Sequence, residues 1–199
     1  GKEVPAGRTK DNALAARALW FDFDVGKEAA HSYTSKQEVV ESLGVMIKDL
    51  ALPVPMVVDS GNGIHAYFLL DEALPRSEWD ELALKFRAVS DAFGLKYDPS
   101  RSSDMASILR PPGSLNFKDP ANPKPVVVKR VGTRKPAAFY DEIFQSYLDA
   151  HGIVPELPKV KNDFGGLNND LITNIEYPAS SAAVITEHCQ QVRNFSETG

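Results

Sequence analysis

In Trp20-Phe21-Asp22-Phe23-Asp24-Val25, the apolar side chains Phe21, Phe23 and Val25 take the odd positions, while Asp22 and Asp24 take even ones. Side chains alternate between faces along a strand, so residues 20 to 25 read as a β-strand with one apolar side and one side carrying two carboxylates. Such a pair on a rigid strand is a platform for a divalent cation that prefers oxygen ligands, magnesium or manganese. Phosphatases, glycosyltransferases and polymerases could all claim it. The rest of the chain has to decide among them.

Downstream, Ser35-Lys36-Gln37-Glu38 matches a capping box, and Val39, Leu43, Met46 and Leu50 follow at helical spacing up to Pro53. Val57-Val58, the turn Ser60-Gly61-Asn62-Gly63 and residues 64–70 read as a hairpin, with His65 and Tyr67 on one face and Ile64, Ala66 and Phe68 on the other. A second helix is expected from Ser77, capped by its hydroxyl with Asp80 in box position, through Trp79, Leu82, Phe86, Val89 and Phe93 to a stop at Gly94. Val126-Val127-Val128 reads as a buried strand, and Phe139, Ile143 and Tyr147 mark a third helix ending at Gly152. Residues 1–17 show little periodicity and read as a lead-in.

Two more segments carry chemistry. Ser60, Gly61 and Gly63 offer a hydroxyl and unobstructed backbone N–H groups suited to a triphosphate, and His65 on the adjoining strand can donate to a phosphate oxygen. Taken alone, such a turn also serves a plain hairpin. Arg110-Pro111-Pro112-Gly113-Ser114-Leu115-Asn116-Phe117-Lys118 sets a guanidinium, an amide and an ammonium around a stiff turn, the donor set of an anion site. A metal platform needs a third carboxylate, for which Asp98, before Pro99, and Asp104 both stand available.

Composition narrows the classes. The chain has 199 residues, 43% of them apolar, enough for one substantial domain and a small appendage. With one cysteine, Cys189, it can form neither an internal disulfide nor a cysteine-based zinc cluster. No apolar run approaches the roughly 20 residues of a membrane span, and the polar start is no signal peptide, so a soluble, cytoplasmic protein is expected. Net charge is −5, yet residues 110 to 135 hold seven basic residues against the single acid Asp119. Lys124, Lys129, Arg130, Arg134 and Lys135 are therefore candidate contacts to a nucleic-acid backbone. Residues 1–154 are expected to form the catalytic domain and the Pro-, Asn- and Gly-rich residues 155–181 a linker. Residues 182–199 read as the start of a further helical domain, cut short in a piece of a longer protein.

FDFD, SGNGIH, the Asp98-Pro99 pair and RPPGSLNFK, in that order over residues 15 to 150, resemble the archaeo-eukaryotic primase superfamily, particularly the primase-polymerase domains of bacteriophage and plasmid replication proteins. The resemblance implies an α+β fold in which an RRM-like mixed sheet is flanked by helices. It further implies template-directed nucleotidyl transfer on single-stranded DNA from NTP or dNTP with two Mg or Mn ions, and a helicase domain C-terminal to it. By the same resemblance Asp22, Asp24 and Asp98 hold the metals, and Ser60, Gly61, Gly63, His65, Arg110, Asn116 and Lys118 contact the nucleotide. Ser114 stands where the family usually has threonine, which keeps the hydroxyl.

Two other readings compete. FDFDV is similar to the nucleophile strand of haloacid-dehalogenase-like phosphatases, in which Asp22 would attack phosphate. No later acidic pair in a GDxxxD context accompanies it, and SGNGIH and RPPGSLNFK would go unexplained. A non-catalytic, origin-binding module that keeps a primase fold would bind DNA without incorporating nucleotides.

Overall fold

Strand β1 (Ala15–Val25) pairs antiparallel with β4 (Gly63–Pro75), which sets Phe21 opposite Ala66, Asp22 opposite His65 and Phe23 opposite Ile64. This computed structural model describes residues 12–26, 31–102 and 104–156. The helical element expected at 182–199, and the expected linker beyond residue 156, lie outside the described residues. Strand β1 starts earlier than the alternation alone suggests, because Ala15 and Ala16 pair with Pro75 and Leu74 before a register shift ahead of Ala18. Small side chains and an irregularity conceal the period there.

The sheet continues on both sides of this pair. Strand β2 (Ser32–Tyr33) runs parallel to the end of β1, and β3 (Met56–Asp59) closes the hairpin with β4, Val58 facing His65. Strand β7 (Val127–Arg130) borders β3 antiparallel, and β8 (Arg134–Lys135) runs parallel to Leu69 and Leu70 of β4. The order is β2-β1-β4-β3-β7, with both parallel and antiparallel pairs. A separate short ribbon joins β5 (Leu115–Asn116) to β6 (Lys124–Pro125). The expected buried strand at 126–128 is corrected: Val126 is buried, but Val127 and Val128 are 40% and 39% exposed. They sit on β7, which among the described residues has a sheet neighbour, β3, on one side only.

Among the described residues, three helices cover the apolar face. They are α1 (Lys36–Asp49), α2 (Arg76–Ala92) and α3 (Ala137–His151), contributing Val39, Leu43 and Met46, then Trp79, Leu82, Phe86 and Val89, then Tyr140, Phe144 and Leu148 to the core. Against them pack Leu19, Phe21, Phe23, Ala66, Phe68 and Leu70 from the sheet. This is the mixed α+β arrangement expected, with helices on one side. Ser35 caps α1 by accepting from the Glu38 N–H, and Glu38 reaches back to the N–H and hydroxyl of Thr34. No hydroxyl caps α2. Its N-cap is Pro75, because β4 runs straight into the helix and the Arg76 N–H is taken by the Leu14 carbonyl, leaving Ser77 inside the first turn. Gly94 and Gly152 follow the second and third helices at φ +71° and +63°, the left-handed conformation that glycine adopts without strain. None of the helices among the described residues is long and apolar enough to cross a membrane.

Phe21 centres the aromatic core, stacked on Phe86 at 4.3 Å and close to Tyr97 at 5.0 Å and Phe23 at 5.1 Å between ring centroids. Truncating it removes a fully buried ring, and we expect Phe21→Ala to destabilise the domain by about 3–5 kcal/mol, against about 1 kcal/mol for Ser35→Ala at the helix cap. Urea denaturation checks both values. A loss for Phe21→Ala no larger than that for Ser35→Ala would contradict this packing.

Candidate active site

Antiparallel pairing places opposed side chains on the same face, so the register that buries Phe21 and Phe23 among the helices brings Asp22, Asp24 and His65 together on the other face. His65 Nε2 lies 3.6 Å from Asp22 Oδ1. This face, which carries no helix among the described residues, is roofed by the long segment after α2, which is stitched to β1 at two points. The Asp98 N–H donates to the Asp22 carbonyl at 3.0 Å, and the Trp20 indole N–H donates to the Arg101 carbonyl at 2.9 Å. Backbone bonds between Gly113 and Val126, and between Val126 and Ser114, hold the far end against the β5–β6 ribbon.

Beneath this roof lies a cavity of about 570 Å³ lined by Asp22, Asp24, His65, Asp98, Arg101, Arg110 and Lys118, with Ile108, Leu109 and Pro111 as its apolar wall. Of the two candidate acids, Asp98 lines the cavity, whereas Asp104 does not and accepts from the Ala106 N–H. Asp98 is partly committed, since its Oδ1 accepts from the N–H and hydroxyl of Ser100. Three carboxylates, three cations and one imidazole thus share one concave space.

The remaining expected nucleotide contacts are placed differently. Asn116 is 2% exposed and its amide is occupied, Nδ2 donating to the Ser60 carbonyl at 2.5 Å and Oδ1 accepting from the Lys118 N–H at 3.0 Å. It fastens the roof to the glycine turn and orients the chain at Lys118. In that turn the Ser60 N–H is spent on the Gly63 carbonyl and the Gly61 N–H on Asp59 Oδ1. Gly63 is required by proximity, because a Cβ there would stand 2.3 Å from the Phe23 carbonyl oxygen. Ser60, Gly61 and Gly63 do not line the carboxylate cavity. The basic residues disperse as well. Lys124 bonds Asn62, and Lys129 and Arg130 border a second, apolar cavity beside α1. Arg134 donates to the Leu70 carbonyl, and Lys135 lies over the Phe139 ring.

Burial first, and charge crowding after it, set the site's electrostatics. Burial, then the neighbouring Asp24 and Asp98, raise the Asp22 carboxyl to about 6, with Arg101 and Arg110 opposing. Burial, then Arg110 and Arg101, lower His65 to about 4. At neutral pH the 3.6 Å contact therefore joins an anionic Asp22 to an uncharged imidazole, and it is a polar contact rather than an ion pair. Tyr67, whose hydroxyl lies 3.4 Å from His65 Nδ1, is raised to about 12 by burial and by Asp22.

An all-oxygen donor set of three aspartates suits magnesium or manganese, and Asp22 is raised first by burial and then by the charges of Asp24 and Asp98. By chemistry the residues fit such an ion. Among the described residues, though, no three His, Cys, Asp or Glu side chains already converge on a metal-binding point. Arg101 Nε instead lies 3.4 Å from Asp98 Oδ2 and 3.9 Å from Asp22 Oδ2. Sequence reasoning missed Arg101. The only hint was its place three residues after an Asp-Pro turn, the spacing at which a turn folds a side chain back onto its first residue.

No protein-family model and no curated protein matches the chain. Among solved structures it is similar to the AEP domain of the cyanophage S-2L primase-polymerase (PrimPol), with a TM-score of 0.52 at 14% sequence identity. The likeness covers 69% of this chain and 65% of that one, so the chain spans about two thirds of the structure it matches. At this identity the likeness speaks for the fold alone, a mixed sheet flanked by helices.

The two shifted groups oppose each other in pH. Asp22 holds its proton more tightly when folded, so its contribution favours folding at pH 4 and is lost as pH rises through about 6. His65 is harder to protonate when folded, so its contribution opposes folding at pH 4 and the penalty lifts as pH rises toward 6.5. In metal-free buffer the wild-type protein should show little net slope between pH 4 and 6.5 from this pair. Asp22→Asn should gain stability with rising pH by roughly 2 kcal/mol across that window, and His65→Gln should lose a similar amount. Urea denaturation at about pH 4.5 and 7 measures this, and parallel profiles for wild type and Asp22→Asn would sink it.

Proposed function

We propose that this domain performs template-directed nucleotidyl transfer, synthesising or extending primers on single-stranded DNA from NTP or dNTP with two magnesium or manganese ions. The observation that carries the reading is the meeting of Asp22, Asp24 and Asp98 with Arg110 and Lys118 in one cavity, on the polar face of a fold similar to that of a primase-polymerase domain.

Asp22, Asp24 and Asp98 are the residues that would hold the ions; when bound, these supply Lewis-acid activation of a 3′-hydroxyl and neutralise charge on the triphosphate. The chain's own residues do the rest. Arg110 and Lys118 line the same cavity as the carboxylates and receive the phosphates, the guanidinium by a two-pronged hydrogen bond and the ammonium as a point charge. His65 stays uncharged near neutrality, so it serves as a hydrogen-bond donor; a proton on Nε2 leaves Nδ1 to accept from the Tyr67 hydroxyl. Ile108, Leu109 and Pro111 give a base or sugar an apolar wall and keep water from it. Asn116, Ser60, Gly61 and Gly63 support the reaction by fixing the roof to the sheet.

In this reading Lys124, Lys129, Arg130, Arg134 and Lys135 take the template backbone. Motif resemblance adds a setting: a phage or plasmid replication protein in the host cytoplasm, whose C-terminal helicase unwinds the template this module copies.

Nucleotide incorporation on primed and unprimed single-stranded DNA tests the activity. Asp22→Ala with Asp24→Ala should lower it by more than about a hundredfold, and Arg110→Gln should raise the KM for nucleotide by about tenfold. Unchanged activity in the double variant refutes the metal assignment, and release of phosphate from a generic phosphomonoester would favour the phosphatase instead. Neutralising Lys129 and Arg130 together should flatten the salt dependence of single-strand binding by about 1.4 in log–log slope, roughly 0.7 for each phosphate that is no longer neutralised. An unaltered slope would remove those two residues from the template path.

A further inference from the structure

Arg101 occupies an unusual position for a cation beside expected metal ligands. Its Nε lies 3.4 Å from Asp98 Oδ2 and 3.9 Å from Asp22 Oδ2, so one guanidinium bridges two of the three carboxylates that a divalent ion would need. Its backbone is fixed independently of that bridge. The Trp20 indole N–H holds the Arg101 carbonyl at 2.9 Å, and the Arg101 N–H donates to the Asp98 carbonyl at 3.2 Å. Ser102, 1% exposed, donates its hydroxyl to the Asp98 carbonyl at 3.0 Å and anchors the same turn. The side chain itself is 41% exposed, at the rim of the cavity rather than packed within it. A pinned backbone with a half-exposed arm can withdraw its guanidinium without disturbing the turn that carries Asp98.

We infer that Arg101 is a resident counter-cation, which bridges Asp22 and Asp98 while the site is without metal and must be displaced before a divalent ion can bind both carboxylates. This rests on the reading of the three aspartates as metal ligands. Two cations cannot occupy the same pair of carboxylates at these distances without strong repulsion, so the guanidinium and the ion compete directly. The exchange costs little because the arm swings into solvent, where a half-exposed ion pair is worth only a modest amount. Displaced, the guanidinium stays at the mouth of the cavity beside the anion-receiving side chains. Arg110 also lines the cavity but forms no ion pair with either carboxylate among the described residues, and so provides the comparison for a general field effect.

The test is titration of the full chain with Mn²⁺, without nucleotide, following free ion by electron paramagnetic resonance. Arg101→Gln should tighten the Mn²⁺ dissociation constant about fivefold. Arg110→Gln should change it by no more than about twofold, the effect of removing one charge at a distance. Arg101→Lys, which keeps the positive charge on a flexible arm, should return the constant to near the wild-type value. Equal tightening by Arg101→Gln and Arg110→Gln would overturn the proposal, reducing Arg101 to one more contributor to the local field. Unchanged affinity in Arg101→Gln would overturn it as well. Mn²⁺ binding by none of the proteins would overturn the metal reading of Asp22, Asp24 and Asp98, and the counter-cation role with it; Mn²⁺ binding by wild type that is abolished in Asp22→Asn upholds the metal reading and leaves the comparison among the arginine variants to decide this one.

Discussion

The register between β1 and β4 governs both sides of the sheet at once. Phe21 and Phe23 can stack among Phe86, Tyr97 and Phe68 only if Asp22 and Asp24 point away from them, and the pairing of Asp22 with His65 fixes where along β4 those carboxylates fall. A slip of one residue would drive two acids into an aromatic core and two rings into water, at a cost of several kcal/mol for each buried charge. The core's demand for apolar contact thus sets the geometry of the polar face. Gly63 tightens the constraint further, since its missing side chain lets the Phe23 carbonyl come close where the hairpin meets β1.

On the polar face, a different force takes over. Asp22, Asp24 and Asp98 are held near one another by backbone bonds that do not depend on their charge, notably the Asp98 N–H to the Asp22 carbonyl. Their mutual repulsion is therefore imposed by the fold rather than relaxed by it, and it adds to burial in raising the Asp22 carboxyl. Arg101 and Arg110 relieve part of it.

Much of this was legible in the chain, and the illegible parts share a physical cause. The alternation Phe21-Asp22-Phe23-Asp24 announced both faces of β1, Ser35 announced the start of α1, and Gly94 and Gly152 announced two helix ends, because each rests on a local rule of backbone or side-chain geometry. Ala15 and Ala16 gave no signal, as small side chains carry little periodicity and the strand shifts register beside them. Val127 and Val128 read as buried because sequence cannot tell a border strand from a central one. The glycines and Asn116 were recognised as important, yet the structure gives them work within the protein: Gly63 allows a close approach, the Gly61 N–H serves Asp59, and Asn116 ties the roof to the hairpin. Arg101 escaped notice because the segment after Asp98 has no period from which to place it.

The indole bond that steadies the Arg101 turn has an optical side. The chain contains two tryptophans, and both border this region: Trp20 donates to the Arg101 carbonyl, while Trp79 donates to the Ala18 carbonyl from α2, with their rings 4.9 Å apart. At that separation the two chromophores exchange excitation energy, and the emission of the pair depends on how Trp20 is held. One ring is buried in the interior, and the other stands on β1 and is bonded to the roof of the cavity. The domain's ultraviolet fluorescence is therefore a built-in gauge of whether the turn carrying Asp98 and Arg101 is seated, legible without any added label.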